Sequence, residues 1–228
     1  MSQSSLAAPQ LVINSRMLYS SWIPADPKAA AALLPPGLEP AHNQALFMNQ
    51  YVVDSADQTS GFGAYSLTYM GLDVAGLTAP DGVTPARFFT HYLNSSEGVR
   101  QYVSERGVPA AEGRTTLELS GGKVTATTSV DNRPIIRTVA RVGSGISAVA
   151  RGQLAYITRV GGKLMGGNYP YVGEIADGFE LLSLEFLAKD HPTYALRPTS
   201  PLRAVTGWCW YAPRDSFVYP GGEYELKR

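Results

Sequence analysis

Lysine is missing from the whole stretch between Lys28 and Lys123. Capture of a carbonyl carbon as an imine needs a primary amine, so no side chain in that stretch can supply it. Cysteine is nearly absent as well: Cys209 stands alone, which excludes an internal disulfide. The three histidines, His42, His91 and His191, do not have the spacing of a zinc site, and neither a metal nor an organic cofactor is expected. An excess of either charge is lacking too. With 19 basic and 19 acidic residues mixed along the chain, there is no electrostatic footprint for a phosphate backbone or an anionic membrane surface. Neither nucleic acid nor membrane is therefore expected as a partner. No apolar run approaches the roughly 18 residues of a membrane helix, and Met1 to Gln10 has neither a basic start nor an apolar segment of signal-peptide length. The expectation is a soluble, cytoplasmic protein whose partner is a small molecule.

What is present is a chain of 228 residues, enough to bury a sizeable core. Asp26 is placed to cap a short helix that Pro27 opens, Lys28 to Leu34 fills and Pro35-Pro36-Gly37 stops. Leu11 to Ser21, carrying Arg16, reads as a strand, and Ala45 to Val53 as another. Gly61 to Met70 and Pro85 to Leu93 alternate small or polar residues with aromatics, as strands with one face on a core or cavity do. Between Gly98 and Pro109 the period becomes helical. Asn94 is the expected cap with Glu97 as its capping-box partner, and Gly107 ends the helix. Val99, Tyr102, Val103 and Arg106 then share one face, leaving Arg100, Gln101, Ser104 and Glu105 toward the other.

Thr115 to Ser120 and Lys123 to Val130 flank a Gly121-Gly122 hairpin turn, and Ile135 to Val142 continues the meander. Ser147 to Ala150 lies in a glycine- and serine-rich region compatible with a helical turn or a loop, and Leu154 to Val160 is extended again. Gly161-Gly162-Lys163 and Gly166-Gly167-Asn168 both read as turns, since neither has the Lys-Ser/Thr ending of a phosphate loop. Phe179 to Leu187, Val205 to Tyr211 and Ser216 to Tyr219 are the last expected strands. With no repeat, linker or low-complexity tract, residues 1–228 are expected to form one β-rich, mostly antiparallel α+β domain.

Several segments also follow one another in a telling order. Asn14-Ser15-Arg16 precedes Pro24-Ala25-Asp26 and the run Leu33 to Glu39; Ser60 to Tyr65, Tyr92-Leu93-Asn94 and Gly121-Gly122-Lys123 come next; Ser200-Pro201-Leu202, Asp215, Tyr219-Pro220 and Glu223 close the series. In that order the chain resembles the acetoacetate decarboxylase family over most of its length. The resemblance implies a barrel-like or cone-shaped sheet around a cavity, a few short helices, and assembly into a homo-oligomer. In that family the reactive lysine lies in a Tyr-Pro-Lys-Lys-x-Gly-x-Pro motif, and the matching run here is Tyr102 to Pro109. Ser104 takes the nucleophile's place, Glu105 that of the second lysine that depresses its pKa, and Leu67 that of the family's glutamate. Arg16 is the signature group retained. The family's proline falls at Val103, so the helical reading of this stretch conflicts with the family's local backbone.

These residues define the expected site. Arg16 would hold a carboxylate, enolate or phenolate through paired hydrogen bonds, unless it serves an ordinary ion pair. His91 is the natural proton-transfer group if its side faces the cavity, with Ser104 and Glu105 of interest through their matched positions. Tyr65, Leu67, Tyr69, Phe88, Tyr92, Trp208 and Trp210 are the expected wall of an apolar cavity suited to a flat or polyketide-like ligand, or simply core residues. The expected activity is non-imine acid-base chemistry on a keto/enol or polyketide-like substrate: a lyase, cyclase, dehydratase or isomerase of secondary metabolism. The alternatives are a non-catalytic small-molecule-binding protein, and a decarboxylase that brings Lys123 or Lys163 to the cavity.

Overall fold

A computed structural model describes residues 6–219 and 221–226. In chain order the elements are β1 (Gln10–Trp22), α1 (Pro27–Ala31), β2 (Leu46–Val53), β3 (Tyr65–Thr78), β4 (Pro85–Asn94), α2 (Glu97–Ser104), β5 (Ala110–Glu112), β6 (Arg114–Ser120), β7 (Lys123–Val130) and β8 (Arg133–Arg141). They continue with β9 (Ile146–Val160), β10 (Lys163–Ala176), β11 (Glu180–Phe186), β12 (Trp210–Tyr219) and β13 (Tyr224–Glu225); short 3-10 turns lie at Ala56–Gln58 and Pro192–Leu196.

Seven strands close into a barrel in the order β1, β2, β3, β4, β9, β10, β12, because β12 pairs with both β10 and β1. All neighbours in it are antiparallel except β4 and β9. The short strands β5 and β13 attach outside that ring, on β4 and β10. A second sheet, β11-β8-β7-β6, is wholly antiparallel. It packs on the barrel's outer surface: Leu18 and Tyr211 of the barrel cluster with Leu117, Val124, Ala126 and Ala140 of the sheet. A buried hydroxyl chain crosses the same interface, Gln50 Nε2 donating to Thr128 Oγ1 at 2.9 Å and Thr68 bonding Thr128 and Thr115 at 2.6 and 2.7 Å. A strand covered on both faces has no solvent side, which is why β2 and the first ten residues of β3 are buried almost without a break.

Most of the expected elements form. α1 starts behind Asp26, whose carboxylate accepts from Ala29 N at 3.0 Å. α2 is helical through Val103, so the periodicity of this chain prevails over the family's proline-containing backbone. Its cap is Ser96 rather than Asn94, and Asn94 instead accepts from Ser96 N at 2.7 Å, turning the chain into the helix. Val99, Tyr102 and Val103 are buried as their spacing requires, and Gly107, with φ +77°, ends the segment.

Three expectations give way. Ser147 to Ala150 belongs to β9, because pairing with β10 holds it extended where local composition favoured a loop. Gly166-Gly167 lies inside β10, not in a turn; a Cβ at Gly167 would collide with the Tyr156 ring, so the glycine makes room for a neighbour's aromatic. Val205 to Trp208 is not strand: Gly207 takes φ +77°, and β12 begins only at Trp210.

Two bulges decide which side chains face inward. Met70 and Gly71 pair with His91 and Phe89, so β4 carries one extra residue at Thr90. Ser15 and Met17 pair with Asp215 and Ala212, so β12 carries one extra residue as well. Each bulge reverses the inward alternation beyond it. A Cβ at Gly71 would meet the Phe88 carbonyl oxygen, which shows how closely the bulged strand approaches its partner. Gly71→Ala is expected to lower stability by about 1–3 kcal/mol, read as a shift of the urea midpoint. An unchanged midpoint would mean that the bulge is not this tightly held.

Candidate functional site

Alternation places Met17 and Tyr19 of β1, Asn49 and Tyr51 of β2, Leu67 and Tyr69 of β3, and Phe89 and Tyr92 of β4 on the inside of the barrel. Leu154 of β9, Tyr169, Tyr171 and Ile175 of β10, and Trp210, Asp215, Phe217 and Tyr219 of β12 complete the wall. The cavity measures about 630 Å³, its open mouth included. Ten of the sixteen wall residues are aromatic. Rings already stack on one another in this wall, Tyr19 on Trp210 at 4.2 Å and Tyr69 on Tyr92 at 5.9 Å, so the wall presents ring faces and edges to the cavity.

One carboxyl interrupts this wall. Asp215 follows the β12 bulge, is 4% exposed, and has no ion-pair partner among the described residues. Ser15 Oγ donates to the Asp215 carbonyl oxygen at 3.0 Å and so fixes the backbone where the strand is bulged. Gly173 lies directly across on β10, and a Cβ there would collide with the Asp215 carboxylate. Burial alone pushes the Asp215 pKa up to about 8. At neutral pH the group is therefore mainly a carboxylic acid, with an ionised fraction that grows as pH rises.

A buried ion pair adjoins the same wall. Arg87 and Asp73 face each other across β4 and β3, joined by a single Nε contact of 3.3 Å. The guanidinium carbon lies 5.1 Å from the ring centres of Tyr19 and Phe47 and 5.3 Å from that of Trp208. From Asn49, polar contacts run to the Tyr69 hydroxyl at 3.0 Å and on to Tyr169 at 3.4 Å. Burial raises the pKa of both phenols, to about 12 for Tyr69 and well above the ordinary value for Tyr169, so they are neutral hydrogen-bonding groups at physiological pH.

The expected wall residues are largely where the aromatic alternation put them. Leu67, Tyr69, Tyr92 and Trp210 line the cavity; Tyr65 is buried in the same cluster with its hydroxyl 2.8 Å from that of Tyr51, and Trp208 packs over Arg87. Phe88 does not: it points outward and packs against the cluster of Leu38, Val74 and Ile157.

The four expected catalytic residues are not brought together. Arg16 occupies the outer face of β1, between inward-facing neighbours, where it binds Asp54 through two nitrogens at 2.8 and 2.6 Å and the Leu117 carbonyl at 2.7 Å. Its partners are an ion pair within the barrel and a carbonyl of the outer sheet. His91 falls within the β4 bulge on the side away from Tyr92, with Nδ1 3.0 Å from Thr90 Oγ1. Burial, with His191 nearby, lowers its pKa to about 4. Ser104 and Glu105 end α2 on its exposed side. Lys28, Lys123, Lys163 and Lys189 are all exposed, and Lys163 pairs with Glu225 at 2.7 Å, so no described lysine lines the cavity. Among the described residues no cluster of metal-ligating side chains occurs, and no helix is long and apolar enough to cross a membrane.

Sequence reasoning missed Asp215 on the cavity wall and the buried Arg87 beside it. Asp215 was visible only as part of a C-terminal match, and Arg87 stood beside Phe88 in a strand whose bulge reverses the alternation.

The Asp215 carboxyl makes stability depend on pH. The unfolded chain releases this proton near pH 4, whereas the folded chain keeps it up to about pH 8. The folded state thus binds more protons between these values, and its stability falls as pH rises through that window, by at most about 1.4 kcal/mol per pH unit. Urea denaturation of Asp215→Asn is expected to show a higher midpoint than the parent at pH 8 and a flatter dependence from pH 5 to 8. Parallel dependences in the two proteins would place this proton elsewhere.

No family model matches the chain, and no curated protein matches it. Solved structures do, over nearly its whole length. Acetoacetate decarboxylase from Legionella pneumophila superposes with a TM-score of 0.73 at 13% identity, covering 99% of this chain and 90% of that one. An acetoacetate decarboxylase-like enzyme from Sphingomonas wittichii gives 0.69 at 15% identity, covering 99% of both. The enduracididine biosynthesis enzyme MppR, in complex with pyruvate, gives 0.66 at 14% identity, covering 98% and 92%. The closed mixed barrel with its outer strands and few helices is therefore the acetoacetate decarboxylase-like fold.

Proposed function

We propose that the barrel cavity is an active site that moves a proton on a small keto or enol substrate, without an imine, and that Asp215 is its acid-base group. The observation that carries this reading is a buried carboxyl on an aromatic cavity wall, with a pKa of about 8 and no described ammonium on the same wall. An acid-base catalyst works best when its pKa lies near the working pH, and burial has moved Asp215 there. In its ionised form Asp215 takes a proton from the carbon beside a carbonyl, and the electron pair moves to the carbonyl oxygen. The resulting acid returns the proton to carbon or gives it to a leaving hydroxyl. Tyr69 and Tyr169 are neutral phenols beside that route and fit the role of hydrogen-bond donors to an enolate oxygen.

Lyase, cyclase, dehydratase and isomerase reactions of keto acids share this step. A place in secondary metabolism agrees with the likeness to MppR, whose structures hold pyruvate and the condensation product of pyruvate with imidazole 4-carboxaldehyde. A homo-oligomer, as the family resemblance implies, and a place in the cytoplasm complete the proposal. The second reading, a binding protein without turnover, is favoured by one observation: the four residues first expected to be catalytic lie off the cavity.

Exchange of pyruvate methyl protons with deuterated water, followed by NMR, tests proton transfer without knowledge of the final product. The protein is expected to accelerate exchange, with a rate that rises with pH, is half-maximal near pH 8 and levels off above it, and Asp215→Asn is expected to lower it by about 10²–10⁴-fold. Borohydride added with pyruvate is expected to leave the mass of the chain unchanged. A reduced adduct on Lys123 or Lys163 would restore the imine route, and pyruvate binding without exchange would select the binding protein.

A further inference from the structure

Arg87 is 2% exposed, yet its guanidinium is only partly used. Nε meets Asp73 at 3.3 Å, long for an ion pair. The guanidinium also hydrogen-bonds the Tyr169 side chain, but Nη1 has no hydrogen-bond partner among the described residues. A buried cation normally has its donors filled, because an unpartnered one keeps the cost of leaving water without the return. Asp73 is a reluctant counter-ion as well: burial raises its pKa, against the pull of Arg87. Arg87 meanwhile stays charged, as a guanidinium does at any physiological pH, and the nearby Asp73 favours that form.

The direction of this spare donor follows from the strand. Arg87 shares the inward side of β4 with Phe89, a cavity-wall residue, and its guanidinium packs on the ring of Tyr19, another. The Tyr19 hydroxyl and Asn49 Oδ1 are likewise buried without a partner. Two unfilled donors, Arg87 Nη1 and Tyr19 Oη, thus belong to one aromatic region of the barrel. Two donors match the two oxygens of a carboxylate, and rings on every side match a planar skeleton behind it.

We propose that Arg87, together with the Tyr19 hydroxyl, forms an anion site in the cavity that binds the carboxylate of a flat, conjugated or aromatic acid. The ligand carboxylate completes the coordination that Asp73 leaves open, and the ligand's π system lies among the wall aromatics. This deepens the proposed function, and rests on it only in placing the anion in the same cavity as Asp215. The site differs from the one expected around Arg16, whose donors are taken by Asp54 and Leu117.

Calorimetric titration with benzoate, its neutral isostere benzamide, and cyclohexanecarboxylate tests each part. Benzoate is expected to bind at least tenfold more tightly than benzamide, which lacks the charge, and than cyclohexanecarboxylate, which lacks the plane. Arg87→Met alone strands Asp73 and risks unfolding, so the double variant Arg87→Met/Asp73→Asn, which removes both charges, is the working control. It is expected to bind benzoate no better than benzamide, with its circular dichroism and cooperative melting retained; Tyr19→Phe is expected to weaken benzoate several-fold. Asp215→Asn is expected to keep benzoate affinity at or above that of the parent while proton exchange is lost. Equal binding of benzoate and benzamide, or full benzoate affinity in the double variant, would overturn the anion site and leave the Asp215 reading intact. Equal binding of benzoate and cyclohexanecarboxylate would overturn the planar ligand class. Unaltered exchange in Asp215→Asn, with Arg87-dependent benzoate binding, would remove the proposed chemistry and keep the anion site.

Discussion

The structure depends on one seam, where β12 hydrogen-bonds to β1 on one side and to β10 on the other. That double pairing turns a row of strands into a closed barrel, leaving its seven strands without a free edge at the seam and with a separate interior. The interior is filled mainly by rings, which cover area without polar atoms except at their tips. The bulge in β12 lies at this seam, and it turns Asp215 inward instead of Arg214, whose side chain pairs with Glu174 outside. Ring closure and the placement of the acidic group are thus two consequences of the same strand.

Closure also explains why ionisable groups inside the barrel behave as they do. Little water reaches the Asp215 carboxyl inside the barrel, so burial dominates its electrostatics. On the outer side of β4, where His91 is half-buried, burial and then His191 lower the imidazole's pKa. The two respond in opposite senses because the neutral form of one is the acid and of the other the base. Neither has a nearby opposite charge to hold it ionised. For Asp215 the result is a group that titrates near neutrality on a cavity wall. For His91 it is a neutral ring bonded to Thr90, a structural residue at the bulge.

The fold was legible in the sequence to the extent that local patterns were strong. The capped helix behind Asp26, the aromatic strands and the amphipathic stretch ending at Gly107 carry their own signals, and they form. Segments 147–150 and Gly166-Gly167 carry none, because their conformation comes from a partner strand distant in sequence. Half of the site was legible in the same way: Tyr69, Tyr92 and Trp210 follow from ring placement. The polar half was not, for a reason of parity. Arg16 and Met17 are adjacent, and only one of them can point inward; the same holds for His91 and Tyr92, and for Phe88 and Arg87. A single extra residue at Thr90 decides the last two pairs, and nothing in the residue types around it announces a bulge.

The two arginines differ in how far the fold satisfies them. Arg16 is bidentate on Asp54 and also donates to a carbonyl, so its hydrogen-bonding capacity is committed to joining the barrel and the outer sheet. Its side chain is also one-third exposed, where water weakens any further attraction for an anion. Arg87 has the reverse combination: deep burial, a long contact to its one carboxylate and an idle nitrogen. Burial strengthens each remaining interaction of that guanidinium, because little solvent screens it. A chain selected for stability alone would do better with an apolar residue in both places of the Arg87 and Asp73 pair, since a buried ion pair with incomplete geometry seldom repays its desolvation. A buried charge that the fold itself does not fully satisfy is the physical ground for the proposed anion site.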